Sequence, residues 1–278
     1  MLTALPDPEI EALEVKLLLE AIYDRHGYDF RDYAQASIHR RLVKQMEAEA
    51  LHSLSALQDL ILREPAAMER LLLSMAVHVT SMFRDPKFYV AFRGKVVPYL
   101  RTYPFIRLWH AGCSTGEEVH SMAILLQECG LDDRCRIYAT DLSDGVLRRA
   151  HTGVFPLGAM KEHTENYLQA GGSRSFSEYY TARESDVIFH CLSPERAVFA
   201  QHNLVSDGSI NEFNVIFCRN VMIYFNPKLQ DRVHRLIYES LGHLGFLALG
   251  RKESLRFSPY ESCYKEIDAQ EKIYQKVG

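Results

Sequence analysis

Apolar and polar positions follow two different periods along the chain, and the change of period divides it. Over residues 1–76 apolar side chains recur every three to four positions, which predicts amphipathic helices. A first helix ends near Gly27, a second follows Asp32, a third ends before Pro65 and a fourth completes the bundle. The inward stripe predicted for the first helix consists of Ile10, Leu13, Leu17, Leu18 and Ala21.

Short apolar, β-prone runs separated by helical patterns occupy most of the remaining chain. Such alternation predicts an α/β fold around a mostly parallel sheet. Strands are predicted at 106–109, 136–140, 197–203, 213–218 and 245–250, with a closing pair at 264–267 and 272–277. Helices are predicted from Pro86 to about 96, at 117–129 and 143–151, and from Pro227 onward.

Composition changes within this second part and marks an insert. Residues 155–192 contain glycines, serines and short β-prone pieces, which predicts a small, partly antiparallel β insert. The expected organisation is a helical domain at 1–76, a linker at 77–87, and an α/β domain at 88–278 carrying that insert. Asp85 followed by Pro86 predicts the start of the first helix beyond the linker.

Residues 106–130 carry the strongest functional pattern, a strand, a tight turn and a helix. The turn is Ala-Gly-Cys-Ser-Thr-Gly at 111–116, whose small residues let backbone approach a ligand closely. The next strand ends on Asp141. A glycine turn followed by an acid at the tip of the next strand is how doubly wound proteins hold a nucleoside. The alternative is an ordinary strand–helix turn that binds nothing.

Two common nucleotide motifs do not match this turn. Cys113 to Gly116 do not fit the dinucleotide pattern Gly-x-Gly-x-x-Gly, and no lysine follows a glycine loop as a P-loop requires. In its Gly-Cys-Ser-Thr-Gly-Glu-Glu form, the turn instead resembles motif I of S-adenosylmethionine methyltransferases. It is specifically similar to the CheR family, the chemotaxis-receptor glutamate methyltransferases.

The resemblance extends over nearly the whole chain. Tyr-Ala-Thr-Asp-Leu at 138–142, Gln-His-Asn-Leu at 201–204 and Phe-Cys-Arg-Asn-Val-Met-Ile-Tyr-Phe at 217–225 look like family signatures in family order. It implies a Rossmann-like class I methyltransferase domain with a mostly parallel seven-stranded sheet. It also implies S-adenosylmethionine as cofactor, S-adenosylhomocysteine as product, and methylation of glutamate side chains on chemoreceptor-type signalling proteins.

Site residues follow from the resemblance position by position. It implies cofactor contacts at His78, Thr80, Arg84, Gly112, Glu118, Asp141, Asn203, Leu204, Arg219 and Asn220. His78 stands where asparagine is usual in the family. Glu117 is explained as well by the helix dipole, which favours an acid at a helix start. Nothing is carried over to residues 250–254, because Gly-Arg-Lys-Glu-Ser differs from the Gly-His-Ser-Glu of some members.

The chemistry fits these residue types. A sulfonium methyl is already activated, so transfer needs an aligned nucleophile. A glutamate carboxylate is ionised at neutral pH, so a general base is unnecessary. Arg84 and Tyr224 are the expected catalytic residues, since they could orient a partly desolvated carboxylate. Asp141 is expected to accept from ribose hydroxyls, and Glu118 to face the methionine ammonium.

The second predicted helix carries a basic face formed by His39, Arg40, Arg41 and Lys44. One interpretation is a solvated surface; the other is a docking face for an acidic helical partner through Arg40, Arg41 and Lys44. The β insert lacks a clear extra glycine-bearing loop near Gly171, so an enzyme independent of a receptor-tail peptide is expected.

The composition of the chain bears on its partners, its location and its metal content. The formal charge of −4 gives no electrostatic case for nucleic acid or an anionic membrane. No signal segment or long apolar window is present, and the six cysteines form no Cys-x-x-Cys pair, which favours a cytoplasmic protein with reduced thiols. The histidines have no metal-ligand spacing, so no metal is expected. A monomer is expected.

Two alternative functions, from other functional classes, are considered. The first is a non-catalytic regulator that keeps the fold and binds S-adenosylmethionine or its product as a sensor or scaffold. Against it stand Arg84, Asp141, Arg219 and Tyr224, which are all intact. The second is a nucleic-acid methyltransferase. Its usual Asn/Asp-Pro-Pro-Tyr motif is absent after the fourth strand, where Arg219 and Asn220 stand instead.

Overall fold

The computed structural model describes residues 8–75 and 80–278. The chain forms two compact units. The first is drawn from Met1–Ala76 together with Tyr224–Gln230, and the second from Val77–Ile223 and Asp231–Gly278. The predicted fold class is confirmed, because a helical part precedes an α/β part with a mostly parallel sheet and a small antiparallel one.

The described part of the first unit is built mainly of helices. The helices are α1 (Pro8–His26), α2 (Gln35–Ala48), α3 (Leu54–Arg63) and α4 (Pro65–Met75). Ser53 caps α3, its side chain accepting from the N–H of Ala56 at 3.1 Å. Residues recurring at helical spacing are fully or almost fully buried and form the core, among them Leu18, Ile22, Ile38, Leu42, Leu57 and Leu71.

The inward stripe predicted for α1 is wrong over its first half. Ile10, Leu13 and Leu17 are 59, 55 and 50 % exposed. The buried residues are instead Leu18, Leu19 and Ile22, which lie toward the carboxyl end of the helix. At about 100° per residue, Ile10, Leu13 and Leu17 lie on nearly the opposite side of the helix from these buried residues. The predicted stripe therefore followed the exposed side of α1.

A segment distant in sequence completes the first unit. The N–H of Ala34, just before α2, donates to the carbonyl oxygen of Tyr224 at 2.8 Å. The rings of Tyr33 and Phe225 meet edge to face with centroids 4.9 Å apart. Lys228 pairs with Asp32 at 3.0 Å. Residues 224–230 therefore pack as part of the helical unit although they follow a strand of the other unit.

The second unit has the regular alternation that the sequence predicts. Its helices are α5 (Pro86–Lys95), α6 (Val97–Leu100), α7 (Glu117–Glu128), α8 (Asp144–Thr152), α9 (Met160–Gln169) and α10 (Pro227–Ser240), which begins in the first unit. Its strands are β1 (Ile106–Ala111), β2 (Cys135–Asp141), β3 (Val154–Pro156), β4 (Tyr180–Ala182), β5 (Asp186–Phe189), β6 (Ala197–Gln201), β7 (Phe213–Cys218), β8 (Leu241–Leu249), β9 (Tyr264–Asp268) and β10 (Ile273–Lys276).

The main sheet has seven strands in the order β6-β2-β1-β7-β8-β10-β9. The first five are mutually parallel, and β10 is antiparallel to both β8 and β9. The carboxyl ends of the parallel strands therefore meet at one edge, where doubly wound sheets bind ligands. The strand at 197–203 was expected in the core, but β6 is an edge strand and is only half-buried.

The predicted β insert contains a three-stranded sheet in the order β3-β5-β4, with antiparallel pairing. It also contains α9, a helix not predicted from the sequence because its apolar positions are widely spaced among polar ones. Glu128 of α7 anchors the insert through two tyrosine hydroxyls, donated by Tyr167 at 2.5 Å and Tyr179 at 3.0 Å. Arg93 forms an ion pair with the same carboxylate.

The described part of the linker is tied to the second unit. The N–H of Phe83 donates to Ser121 Oγ at 2.8 Å, and Asn166 donates to the carbonyl oxygen of Met82 at 3.1 Å. Met82 and Phe83 are fully buried. The expected helix start is confirmed, because Asp85 is the residue before α5 and Pro86 is its first residue.

Candidate active site

The turn after β1 closely approaches the turn after β7. Gly112 has φ +77°, and its N–H donates to the carbonyl oxygen of Thr140 at 2.8 Å. A Cβ at this position would lie 2.7 Å from Cγ2 of Val221, so a larger residue would collide with the β7 turn. Glycine is required here by both backbone conformation and space.

Asp141 occupies the tip of β2 next to this turn. One carboxylate oxygen accepts the N–H of Ser114 at 2.8 Å, and the other faces the N–H of Ser143 at 3.3 Å. The carboxylate is therefore oriented by backbone groups on both of its sides. Its position at a strand tip and its acceptor chemistry suit a ribose diol.

Glu118, near the start of α7, lies between a histidine and an arginine. His110 Nδ1 is 2.9 Å from one carboxylate oxygen, and Arg219 Nη1 donates to the other at 2.8 Å. Since an ionised carboxylate only accepts, the Nδ1 of His110 carries the proton in this contact. Burial raises the pKa of Glu118, but the His110 hydrogen bond and the Arg219 charge outweigh it and hold the pKa below its usual range.

Arg219 follows β7 and links Glu118 to the start of α5. Its Nη2 donates to Asp85 at 3.0 Å, and its guanidinium carbon lies 4.0 Å from the Phe88 ring centroid. Burial lowers the pKa of Arg219, but the surrounding negative groups, Glu118 first, raise it overall. Within the described chain, the buried Nε of Arg219 and Nε2 of His110 find no hydrogen-bond partner.

Glu253 holds the backbone of the turn after β7, a role that no sequence pattern predicted. Its carboxylate accepts backbone N–H groups from residues 220–223 and from Gly250, at 2.6 to 3.3 Å. The side chain is buried. The sequence feature that could have indicated this role is an acidic residue three positions after Gly250. It was not used because Gly-Arg-Lys-Glu at 250–253 differs from the Gly-His-Ser-Glu of some family members.

Several residues in or next to the two turns and the linker have an unfavourable backbone conformation. Phe83, Asp85, Ser114 and Asn220 all have φ between +49° and +62°, in the left-handed region that residues with a Cβ rarely adopt. They lie in the linker, the β1 turn and the β7 turn. Such residues persist only where surrounding contacts hold them, and they concentrate at functional sites.

The other predicted cofactor residues lie in the linker and after β6. Thr80 and Arg84 are half-buried, and His78 lies outside the described residues. Asn203 shapes its own turn, because its amide oxygen accepts the N–H of Val205 at 2.9 Å. Leu204 is buried. Glu117 accepts a hydrogen bond from Thr115 at 2.7 Å, and burial raises its pKa.

The remaining predicted residues lie in the first unit. Tyr224 is half-buried, and Arg40 and Lys44 of α2 are exposed. Arg41 was expected on the solvated basic face, but it is 7 % exposed and packs over the Tyr224 ring. Arg41 faces the segment 224–230 instead of solvent, so it differs from its two neighbours in the predicted docking set.

The residues at the sheet edge fit the groups of S-adenosylmethionine. Glu118 supplies an acceptor for an ammonium, Arg219 a donor for a carboxylate, and Asp141 an acceptor for ribose. Gly112 keeps the turn free of a side chain. Across 8–75 and 80–278, no group of three or more His, Cys, Asp and Glu side chains is arranged to hold a metal ion. No described helix is long and apolar enough to cross a membrane.

Comparison with known proteins matches both parts of the chain. Residues 78–272 match the family described as "CheR methyltransferase, SAM binding domain", and residues 13–76 match "CheR methyltransferase, all-alpha domain". A protein of Pseudomonas putida named "Putative methyltransferase Cher3" is 46 % identical over 264 residues, covering 95 % of this chain and 97 % of that protein.

More distant relatives carry similar names. "Chemotaxis protein methyltransferase Cher2" of Pseudomonas putida is 29 % identical over 242 residues, 81 % of this chain and 84 % of that protein. "Chemotaxis protein methyltransferase 1" of Pseudomonas aeruginosa is 28 % identical over 241 residues, again 81 % of this chain and 84 % of that protein. Together with the sheet and its glycine turn, these matches show that the chain belongs to the CheR family of S-adenosylmethionine-dependent methyltransferases.

Proposed function

We propose that this chain transfers a methyl group to glutamate side chains of chemoreceptor-type signalling proteins, forming glutamate methyl esters and S-adenosylhomocysteine. The observation that carries the proposal is the Glu118–Arg219 pair, at 2.8 Å, beside the glycine turn and Asp141. This set offers partners to the ammonium, the carboxylate and the ribose of the cofactor. The chemoreceptor substrate is supported by the relatives named chemotaxis protein methyltransferases.

The residues of this chain are proposed to bind the cofactor and to orient the acceptor carboxylate. S-adenosylmethionine, when bound, supplies a methyl group that is already activated. Glu118 and Arg219 would hold the ammonium and carboxylate of its methionine part, and Asp141 would hold its ribose. Thr80, Asn203, Leu204 and Asn220 are proposed as further contacts. Arg84 and Tyr224 are proposed to orient the acceptor carboxylate.

No proton has to be removed from an acceptor that is already ionised. The protein therefore contributes alignment and exclusion of water more than acid–base chemistry. This explains why the proposed residues are an arginine, a tyrosine hydroxyl and paired charges. We propose a metal-free reaction for the same reason.

The direct test uses S-adenosylmethionine labelled in its methyl group and the purified cytoplasmic fragment of a chemoreceptor rich in glutamates. Label should pass to the fragment and be released as methanol by mild alkali, as expected for a methyl ester. The Asp141→Ala variant is the control, since it should lose transfer at limiting cofactor.

Other outcomes would contradict the proposal. Tight binding of S-adenosylhomocysteine without transfer to any receptor fragment would favour the non-catalytic regulator. Label that resists alkali would indicate a different acceptor, such as nitrogen.

A further inference from the structure

The loop that joins β8 to β9, residues 250–263, presents an aromatic ring to solvent. Phe257 is 98 % exposed, the largest value among the exposed large apolar side chains of the described residues. Its φ is +65°, in the left-handed region. A bulky residue is unfavourable in this backbone conformation, and a phenyl ring exposed to water forgoes the free energy that burial would provide. Phe257 is therefore unfavourable at this position both for its backbone conformation and for its exposure.

This exposure belongs to a well-defined loop. The N–H of Phe257 donates to Glu261 at 2.8 Å, and the N–H of Ser258 donates to the carbonyl oxygen of Leu255 at 3.0 Å. Leu255, within the loop, is buried, and the centroid of the Tyr260 ring lies 4.9 Å from that of Tyr238. Contacts on both sides of Phe257 therefore fix the conformation that displays it.

The same loop begins at the candidate active site. Glu253 binds the backbone of residues 220–223, which include predicted cofactor residue Asn220. Arg251 lies 4.0 Å from Asp85, whose carboxylate also holds Arg219. The β8–β9 loop therefore adjoins the cluster proposed to bind the cofactor, and a molecule seated on it would be close to that cluster.

Exposed charge on the loop is mainly positive. Arg251, Lys252 and Arg256 are exposed, whereas Glu253 is buried. Glu261 is the exposed carboxylate of the loop, and it accepts the Phe257 N–H. Arg251 is paired with Glu271 at 2.8 Å, and Lys252 and Arg256 are the other exposed cations of the loop.

We propose that the β8–β9 loop is a docking surface for the acidic segment of the protein substrate that carries the acceptor glutamates. Phe257 would bury its ring against an apolar side chain of that segment, and Lys252 and Arg256 would contact its carboxylates. An exposed aromatic ring on a loop that also carries exposed cations suits an acidic, amphipathic partner. The proposal rests on the proposed function, since the acceptor glutamate gives the partner its negative charge.

The test exploits the strain at Phe257. Phe257→Gly removes the ring and places at φ +65° a residue that tolerates it. We expect a melting temperature at or above that of the parent protein, unchanged affinity for S-adenosylhomocysteine, and a KM for the receptor fragment raised at least fivefold. Lys252→Gln combined with Arg256→Gln should also raise this KM and weaken its dependence on salt.

Leu244→Gly is a matched control, because Leu244 is also exposed, at 44 %, and has φ +60°. It should relieve the same kind of strain and leave KM unchanged. An unchanged receptor KM in Phe257→Gly would overturn the docking surface while wild-type transfer still supports the proposed function. Equal KM increases in the Phe257 and Leu244 variants would also overturn it. Absence of transfer in the wild-type protein would instead count against the proposed function itself.

Discussion

The guanidinium carbon of Arg41 lies 4.3 Å from the ring centroid of Tyr224. Nη1 of the same side chain donates to the carbonyl oxygen of Met75 at 2.5 Å. Burial lowers the pKa of Arg41. A cation buried against a ring and a carbonyl is engaged within its own unit, so it is poorly placed to attract a distant acidic partner.

A docking role for α2 should therefore be tested at the exposed positions. The double variant Arg40→Glu with Lys44→Glu is expected to raise the receptor KM about three- to tenfold, because reversed surface charge slows encounter with an acidic partner. Affinity for S-adenosylhomocysteine should stay the same. Lys16→Glu on α1 is a control for surface charge in the same unit. Equal KM values for the double variant and the parent would favour a merely solvated face.

Asp141→Ala is expected to weaken binding of S-adenosylhomocysteine by about 1–3 kcal/mol, or roughly 5- to 150-fold, the range for a hydrogen bond to a charged group. Titration calorimetry measures the loss. Asp144→Ala, an exposed acid three residues away, should leave affinity unchanged. Unchanged affinity in folded Asp141→Ala would remove the ribose assignment, and effective competition by NAD would contradict the cofactor itself.

Arg84→Ala is expected to lower turnover far more than it weakens S-adenosylhomocysteine binding. If Arg84 orients the acceptor carboxylate, the lost interaction is made chiefly in the transition state, so kcat and kcat/KM should fall together. Tyr224→Phe, which removes only a hydroxyl, should show a smaller loss of the same kind. Near-normal turnover of folded Arg84→Ala enzyme would eliminate the orienting role.

His110 is expected to position Glu118. Its ring is buried and stacked on Phe217, with centroids 4.4 Å apart. His110→Asn keeps a donor near Nδ1 and should retain most cofactor affinity. His110→Leu should weaken S-adenosylhomocysteine binding about tenfold, since Glu118 loses one hydrogen-bond donor. Both variants also lose the stacked ring, so equal affinities for the two would mean that the hydrogen bond is unimportant.

His120 should make stability depend on pH. Burial lowers the pKa of this imidazole from 6.5 to about 4, and its Nε2 lies 3.2 Å from the carbonyl oxygen of Ala150. The unfolded chain binds more protons between these values. The contribution of His120 is therefore complete above pH 6.5 and is lost as pH falls through 4, by about 3 kcal/mol in total.

Urea unfolding between pH 4 and 7 measures this effect. His120→Gln cannot titrate and can still donate to the Ala150 carbonyl oxygen, so it should flatten the curve. His243→Gln, at an exposed position, should leave the curve as steep as that of the parent. A parent protein equally stable across the range would contradict a neutral buried His120.

Local sequence patterns correctly predicted the helical first part and the parallel sheet of the second part. The run from β1 through α7 to β2 was predictable because apolar period, glycine turn and strand-tip acid all indicate one arrangement. What escaped prediction depends on packing between distant segments. Arg41 lies on a polar helix face until residues 224–230 cover it, and α9 has too few apolar positions for its period to stand out. Glu253 acts on backbone thirty residues earlier, which no local pattern reveals.

The association of residues 224–230 with the helical unit affects how this chain can be recombined with its relatives. A chimera that exchanged residues 1–75 alone would pair a foreign Tyr33 and Arg41 with the native Phe225 and Tyr224. The transferable module therefore consists of two pieces separated by about 150 residues of sheet domain. A substitution in one piece therefore has to be compatible with the residues that it contacts in the other piece.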